Sequence, residues 1–186
     1  MRITSGFLKN RRFHAPHPEV RPTKEQVREA IFSSLGGSCA GKHVLDLFAG
    51  SGSLGLEAWS RGAESVTFVE RSGAVLRTLQ ETVRRLDADE LGPVRCIKAD
   101  AIDYLTRARE QFDLVLADPP YDLPDAFPRT IEALSRHSVL TPGGILVYEM
   151  RMKKGDIELP AGWTLRRDKR YGRTRVLFLT LDQEPS

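Results

Sequence analysis

Cysteine is scarce in this 186-residue chain: Cys39 and Cys96 are the only two, far apart and without a CxxC partner. Their scarcity excludes a disulfide framework and a thiolate zinc site, so no metal is expected and both thiols read as buried and inert. Long apolar runs are missing as well. No stretch approaches the roughly 18 residues needed to cross a bilayer, and Met1-Arg2-Ile3-Thr4-Ser5-Gly6 lacks the apolar segment of a signal peptide. A cytoplasmic protein with no membrane partner is the expectation. At 40% hydrophobic and 28% charged residues, the chain can bury one core.

Charge is unevenly placed. Residues 1–28 hold 7 Lys/Arg against 2 Asp/Glu, residues 29–150 hold 12 against 18, and residues 151–175 hold 9 against 3. Two basic flanks on one side of a fold would make a rim suited to phosphates; on separate sides they would be solvated faces.

Short apolar runs at His43–Phe48, Ser65–Glu70, Val94–Lys98, Phe112–Ala117 and Gly144–Met150 alternate with helical patterns such as Val75, Leu76, Leu79, Val83 and Leu86. Phe127, Ile131 and Leu134 repeat that spacing. Strand–helix–strand crossovers favour parallel pairing, and near-continuous apolar strands fit a sheet covered on both faces. The prediction is an open α/β fold. Trp163–Arg170 and Arg173–Leu181, joined around Tyr171-Gly172, read as an antiparallel pair at its edge.

Residues 1–40 read as a separate unit, a basic arm and a helix, ahead of a main domain over 41–186. Thr23-Lys24-Glu25-Gln26 has the capping-box spacing, Val27, Ala30, Ile31 and Leu35 form an apolar stripe, and Gly36-Gly37 ends it. Arg21 and Thr23 would flank the helix N-terminus, where a carboxylate is attracted.

Two motifs carry chemistry. Asp46-Leu47-Phe48-Ala49-Gly50-Ser51-Gly52 is a glycine-rich turn after an apolar strand, and Gly50 to Gly55 fits GxGxxG with Glu70 about twenty residues on. Glycines let the backbone approach a nucleotide, and an acid at the next strand's tip accepts hydrogen bonds from ribose hydroxyls. A dinucleotide fits that pattern too, but it brings a pyrophosphate. S-adenosylmethionine brings an ammonium and a sulfonium, which welcome the acid at Asp46. Asp100, in the Asp100-Ala101 turn after the third strand, would accept from the adenine amine.

The second motif is Asp118-Pro119-Pro120-Tyr121, directly after Phe112–Ala117. An exocyclic amine on a purine is a poor nucleophile because its lone pair is delocalised into the ring. The Asp118 carboxylate and the Pro119 carbonyl, which the Pro-Pro geometry leaves without a ladder donor, would take its N–H groups and localise that pair. Tyr121 would stack on the base. Together the motifs predict amine methylation from S-adenosylmethionine.

With Arg2-Ile3, Ser5-Gly6, Arg21-Pro22-Thr23, Val27 to Phe32, Asp46 to Gly52, Leu54 to Ala58, Ser60 to Ala63, Phe68-Val69-Glu70, Asp100-Ala101, Asp118 to Tyr121, Gly143-Gly144 and Glu149, the chain resembles the bacterial 16S ribosomal RNA (guanine-N2)-methyltransferases. The resemblance implies a Rossmann-like class I methyltransferase fold. That fold has a seven-stranded, mostly parallel sheet with helices on both faces, an antiparallel C-terminal hairpin and a small N-terminal hairpin and helix. It also implies that Arg21 and Thr23 line the methionine end of the cofactor site, and that Asp rather than Asn at 118 goes with a guanine acceptor. The substrate it implies is 16S RNA in the assembled or assembling small (30S) subunit. Lys9, Arg11, Arg12, Lys153, Lys154, Arg170 and Arg173 are the predicted RNA contacts, and a monomer is the default. Adenine-N6 and glutamine-N5 methyltransferases, a non-catalytic RNA-binding assembly factor and a nicotinamide oxidoreductase are the alternatives.

Overall fold

The computed structural model describes residues 1–13, 22–86, 88, 90–123, 125–152, 155 and 157–182, with Pro22 and Thr23 described by their backbone alone. Among these, α1 (Pro22–Ser34) precedes β1 (His43–Leu47), α2 (Ser53–Ser60), β2 (Ser65–Glu70), α3 (Gly73–Leu86), β3 (Val94–Lys98) and α4 (Ala101–Arg107). β4 (Phe112–Ala117), α5 (Ala126–His137), β5 (Leu140–Arg151), β6 (Trp163–Tyr171) and β7 (Thr174–Leu181) complete the order. The seven strands form one sheet in the order β3-β2-β1-β4-β5-β7-β6. β1 pairs in parallel with β2 and β4, as do β2 with β3 and β4 with β5. β7 is antiparallel to both β5 and β6. This is the architecture that the resemblance implies.

Strand alternation explains why both faces need cover. Val44, Phe68, Leu114, Leu116 and Val147 join one apolar cluster with Ile31 of α1, Leu56 of α2 and Leu79 of α3. Their neighbours Leu45, Leu47, Val69, Val115 and Leu146 join a second with Leu105 of α4 and Ile131 and Leu134 of α5. Each such fully buried side chain stabilises the fold by about 1.5–3 kcal/mol relative to exposure.

The N-terminal arm belongs to the first cluster, into which Ile3, Leu8 and Phe13 are buried. A charge network fastens it. Glu57 of α2, wholly buried, receives Arg28 Nε at 3.2 Å, Arg61 at 2.9 Å, the Thr4 N–H at 2.9 Å and the Thr4 hydroxyl at 2.6 Å. Arg28 also donates to the Arg2 carbonyl at 2.7 Å, so one carboxylate joins arm, α1 and α2.

Several boundaries differ from the sequence reading. Helix α1 starts at Pro22, placing Thr23 inside the first turn rather than before it; Pro suits this position because the first helical N–H needs no intrahelical partner. Strand β1 stops at Leu47 because Phe48 turns into the left-handed region at φ 58°. Cys39 is buried as expected, but Cys96 is only half-buried. Burial pushes both thiols up to about 11. No described helix is long and apolar enough to cross a membrane.

Candidate active site

The strand order reverses between β1 and β4: β2 and β3 extend one way from β1, while β5 extends the other way from β4. Ligands of open α/β sheets bind outside the carboxyl ends of the strands at such a point. The glycine loop leaves β1 there, and Asp118-Pro119-Pro120-Tyr121 leaves β4 there. Between them lies a cavity of about 920 Å³. It is lined by the predicted residues Asp46, Phe48, Ala49, Gly50, Ser51, Glu70, Asp100, Ala101 and Asp118 to Tyr121.

Amides of the glycine motif and of the β2–α3 turn are already turned toward acids. Gly50 N–H donates to Glu70 Oε2 at 3.0 Å, Ser72 N–H to Glu70 Oε1 at 2.7 Å, and Gly55 N–H to Asp46 Oδ2 at 2.8 Å. A pyrophosphate, which needs such N–H groups for itself, would meet carboxylates at the start of α2. A cationic ligand would meet the partners it requires. Gly55 is obligatory in this packing, since a Cβ would lie 2.3 Å from the Phe68 ring and 2.9 Å from Asp46 Oδ2. Gly52 does not line the cavity. It caps α2 in the left-handed conformation at φ 74°, and a Cβ there would lie 2.4 Å from Leu79.

Asp100 caps α4: its Oδ1 accepts the N–H groups of Ile102 at 2.9 Å and Asp103 at 3.3 Å. Its other oxygen is available to a ligand amine. Beside β4, the Pro119 carbonyl accepts no hydrogen bond among the described residues, and Tyr121 is 55% exposed at the cavity mouth.

Acids dominate the electrostatics. By strand alternation Asp46, Asp118 and Glu149 project to the face covered by α1 and α2. Burial pushes the Asp46 carboxyl well above the usual range, against the pull of the Gly55 N–H, and the charges of Asp118 and Glu70 add to the shift. Asp118 is raised by burial and pulled back by the Lys24 ammonium. Glu149 is pushed up to about 8, first by burial and then by Asp118, again opposed by Lys24.

Glu149, Lys24, Arg28 and Met1 also line the cavity, though sequence reasoning assigned none of them to the site. Glu149 was detectable by the rule that picked out Glu70 and Asp118, an acid at the carboxyl end of an apolar strand. Lys24 and Arg28 lie one turn apart on α1, while Met1 carries no local signal.

Among the described residues the basic side chains do not form one rim. Arg170 and Arg173 flank the β6–β7 turn, at the sheet end where β5 carries Glu149. Arg11 and Arg12 line a second hollow, of about 410 Å³, with Arg85 of α3. Lys9 lies at the arm's tip, where Phe7 and Leu8 bond Ser60 at the end of α2 remote from the cavity. Arg21, Lys153, Lys154 and the side chain of Thr23 lie outside the described residues. Among the described residues no cluster of His, Cys, Asp or Glu could hold a metal ion.

The chain and its fold recur among known proteins. The chain is 32% identical over 173 residues to Ribosomal RNA small subunit methyltransferase D of Escherichia coli, covering 92% of this chain and 85% of that protein. It is 33% identical over 175 residues to the protein of that name in Haemophilus influenzae, covering 92% and 89%. Among solved structures, Escherichia coli yhhF superposes with a TM-score of 0.88 at 30% identity over 99% of both chains. Thermus thermophilus TrmN superposes with a TM-score of 0.65 at 25% identity over 83% of this chain and 48% of its own. The family model described as Conserved hypothetical protein 95 matches residues 1–180, and the chain belongs to that family.

Proposed function

We propose that this protein transfers a methyl group from S-adenosylmethionine to the N2 amine of one guanine in 16S ribosomal RNA, giving N2-methylguanosine and S-adenosylhomocysteine. The observation that carries this reading is the pairing, at one switch point, of an acid-engaged glycine loop with Asp118-Pro119-Pro120-Tyr121. The small-subunit RNA named for the relatives supplies the substrate class.

When bound, S-adenosylmethionine supplies the methyl: the amine nitrogen forms the new C–N bond, the S–C electron pair returns to sulfur, and one amine proton leaves. Asp46 and the loop from Phe48 to Ser51 hold the methionine end, with Gly52 fixing the turn into α2 and Arg21 and Thr23 at the cofactor's carboxylate. Glu70 accepts from the ribose hydroxyls, and Asp100, beside Ala101, accepts from the adenine amine. Asp118 and the Pro119 carbonyl take the two N–H groups of the acceptor amine and aim its lone pair, while Pro120 fixes the turn. Asp118, whose proton affinity burial has raised, is placed to receive the departing proton. Tyr121 stacks on the base, a contact worth about 1–3 kcal/mol. The base must leave its stack to reach this depth, and most of the rate comes from positioning. Arg170 and Arg173 meet RNA phosphates beside the cavity mouth, Lys9, Arg11 and Arg12 are outer contacts, and Lys153 and Lys154 also bind the RNA. The acting form is a monomer on the assembled or assembling subunit.

Labelled S-adenosylmethionine, incubated with unmodified small subunits beside protein-free 16S RNA, tests this by nucleoside mass spectrometry. The expected product is labelled N2-methylguanosine from the subunits. Label in N6-methyladenosine or in protein would contradict it.

A further inference from the structure

Glu149 has no role in the chemistry above, yet it faces the same cavity as Asp118. The β4–β5 register ends at Ala117 opposite Tyr148, so Asp118 and Glu149 are the next two residues along adjacent parallel strands, side by side. Glu149 is 7% exposed and sits on β5 between residues paired with β7, so its backbone position is rigid. The pair is too closely placed to hold two charges easily. With Glu149 raised to about 8, the pair retains a proton at neutral pH. A protonated Glu149 offers a carbonyl acceptor and a hydroxyl donor next to the acceptor that Asp118 provides.

That arrangement has a complement among the bases. Guanine presents in a row the N2 amine, the N1–H donor and the O6 acceptor. We propose that Glu149 selects guanine, accepting its N1–H and donating to its O6 while Asp118 holds the N2 amine. The inference rests on the methyl transfer to guanine N2 proposed above. Adenine has no amine at position 2 for Asp118 to hold, so in this pose it leaves that buried carboxyl unpaired. A site built on hydrogen bonds rejects such an analogue far more strongly than an apolar pocket does.

The test uses small subunits reconstituted on 16S RNA carrying either guanine or 2-aminopurine at the target nucleotide. 2-Aminopurine keeps the reacting amine but lacks both N1–H and O6. The wild-type protein should favour guanine by about 100-fold or more in kcat/KM. Glu149→Ala should lower the guanine value about 10- to 100-fold and leave the 2-aminopurine value within about twofold, collapsing the ratio. Glu149→Gln, which keeps a carbonyl acceptor and an N–H donor in the same places, should recover most of the guanine activity. Affinity for S-adenosylmethionine, measured on each variant, should stay at the wild-type value.

An Ala variant that loses both bases equally, or keeps the wild-type preference, overturns the proposal. A Gln variant that loses guanine methylation while binding the cofactor overturns it as well. Methylation of neither base by the wild-type protein would instead sink the guanine reading beneath it, so the two failures are distinguishable.

Discussion

Glu57 and Glu149 are both withdrawn from water, at 0% and 7% exposure, but their surroundings are opposite. Around Glu57 stand two guanidinium groups and Thr4, all within hydrogen-bond distance. Beside Glu149 stands a second carboxyl, Asp118, and the opposing charge that pulls it back is the Lys24 ammonium, exposed on α1. Asp168 repeats the first pattern: Arg175 grips it at 3.0 and 2.8 Å and holds its carboxyl below the usual range. An acid whose donors are supplied by the fold serves the fold. The acids at the carboxyl ends of β1, β4 and β5 are instead raised together, and donors brought by a ligand would relieve them.

The comparison can be broken at either side. The largest effect is expected at Glu57, because Glu57→Ala leaves Arg28 buried without its partner and Arg61 without its anchor. A loss of about 3–5 kcal/mol in urea unfolding is expected. Next is Asp118→Ala, which should lower methyl transfer by about 100- to 1000-fold. Its unfolding midpoint should be unchanged or higher, since an uncompensated acid is removed. Matching stability losses in the two variants would erase the distinction.

Glu149→Gln sharpens the comparison through pH. Its folded carboxyl, at about 8, lies above the ordinary value of 4.5, so the folded state binds the extra proton between those limits. Wild-type stability therefore falls as pH rises through that window. The Gln variant escapes this loss, and its melting temperature should exceed wild type by a margin that grows from pH 4.5 to 8. The smallest effect is at the β6–β7 turn. Arg170→Ala with Arg173→Ala should flatten the salt dependence of subunit binding by about 0.7–0.9 in log–log slope per lost phosphate contact. Cofactor affinity should not change.

Much of this was legible in the chain. β2, β3 and β4 fall on the apolar runs that predict them, and the β6–β7 hairpin differs from its prediction by a residue at each inner end. β5 was read from Gly144 because Pro142-Gly143 looks like a break. The strand in fact runs from Leu140, and the irregularity is absorbed as a register shift between Phe112 and Leu114. α2 escaped periodicity because it is buried from Leu54 through Ser60 and shows no polar face, and α4, at 7 residues, is too short to show one. The site was legible where its residues are consecutive, as in the glycine loop and the Asp118 turn. It was not legible at α1, because nothing local says that Lys24 and Arg28 share a cavity with the strand-end acids.

A crystal structure with S-adenosylhomocysteine bound would show whether the β1–β4 switch point is the cofactor site. The ligand's ammonium should lie beside the Asp46 side of the glycine loop, its ribose hydroxyls should donate to Glu70, and its sulfur should face Asp118 across the cavity. A ligand seated away from the β1–β4 switch point, or with its sulfur turned from Asp118, would contradict it.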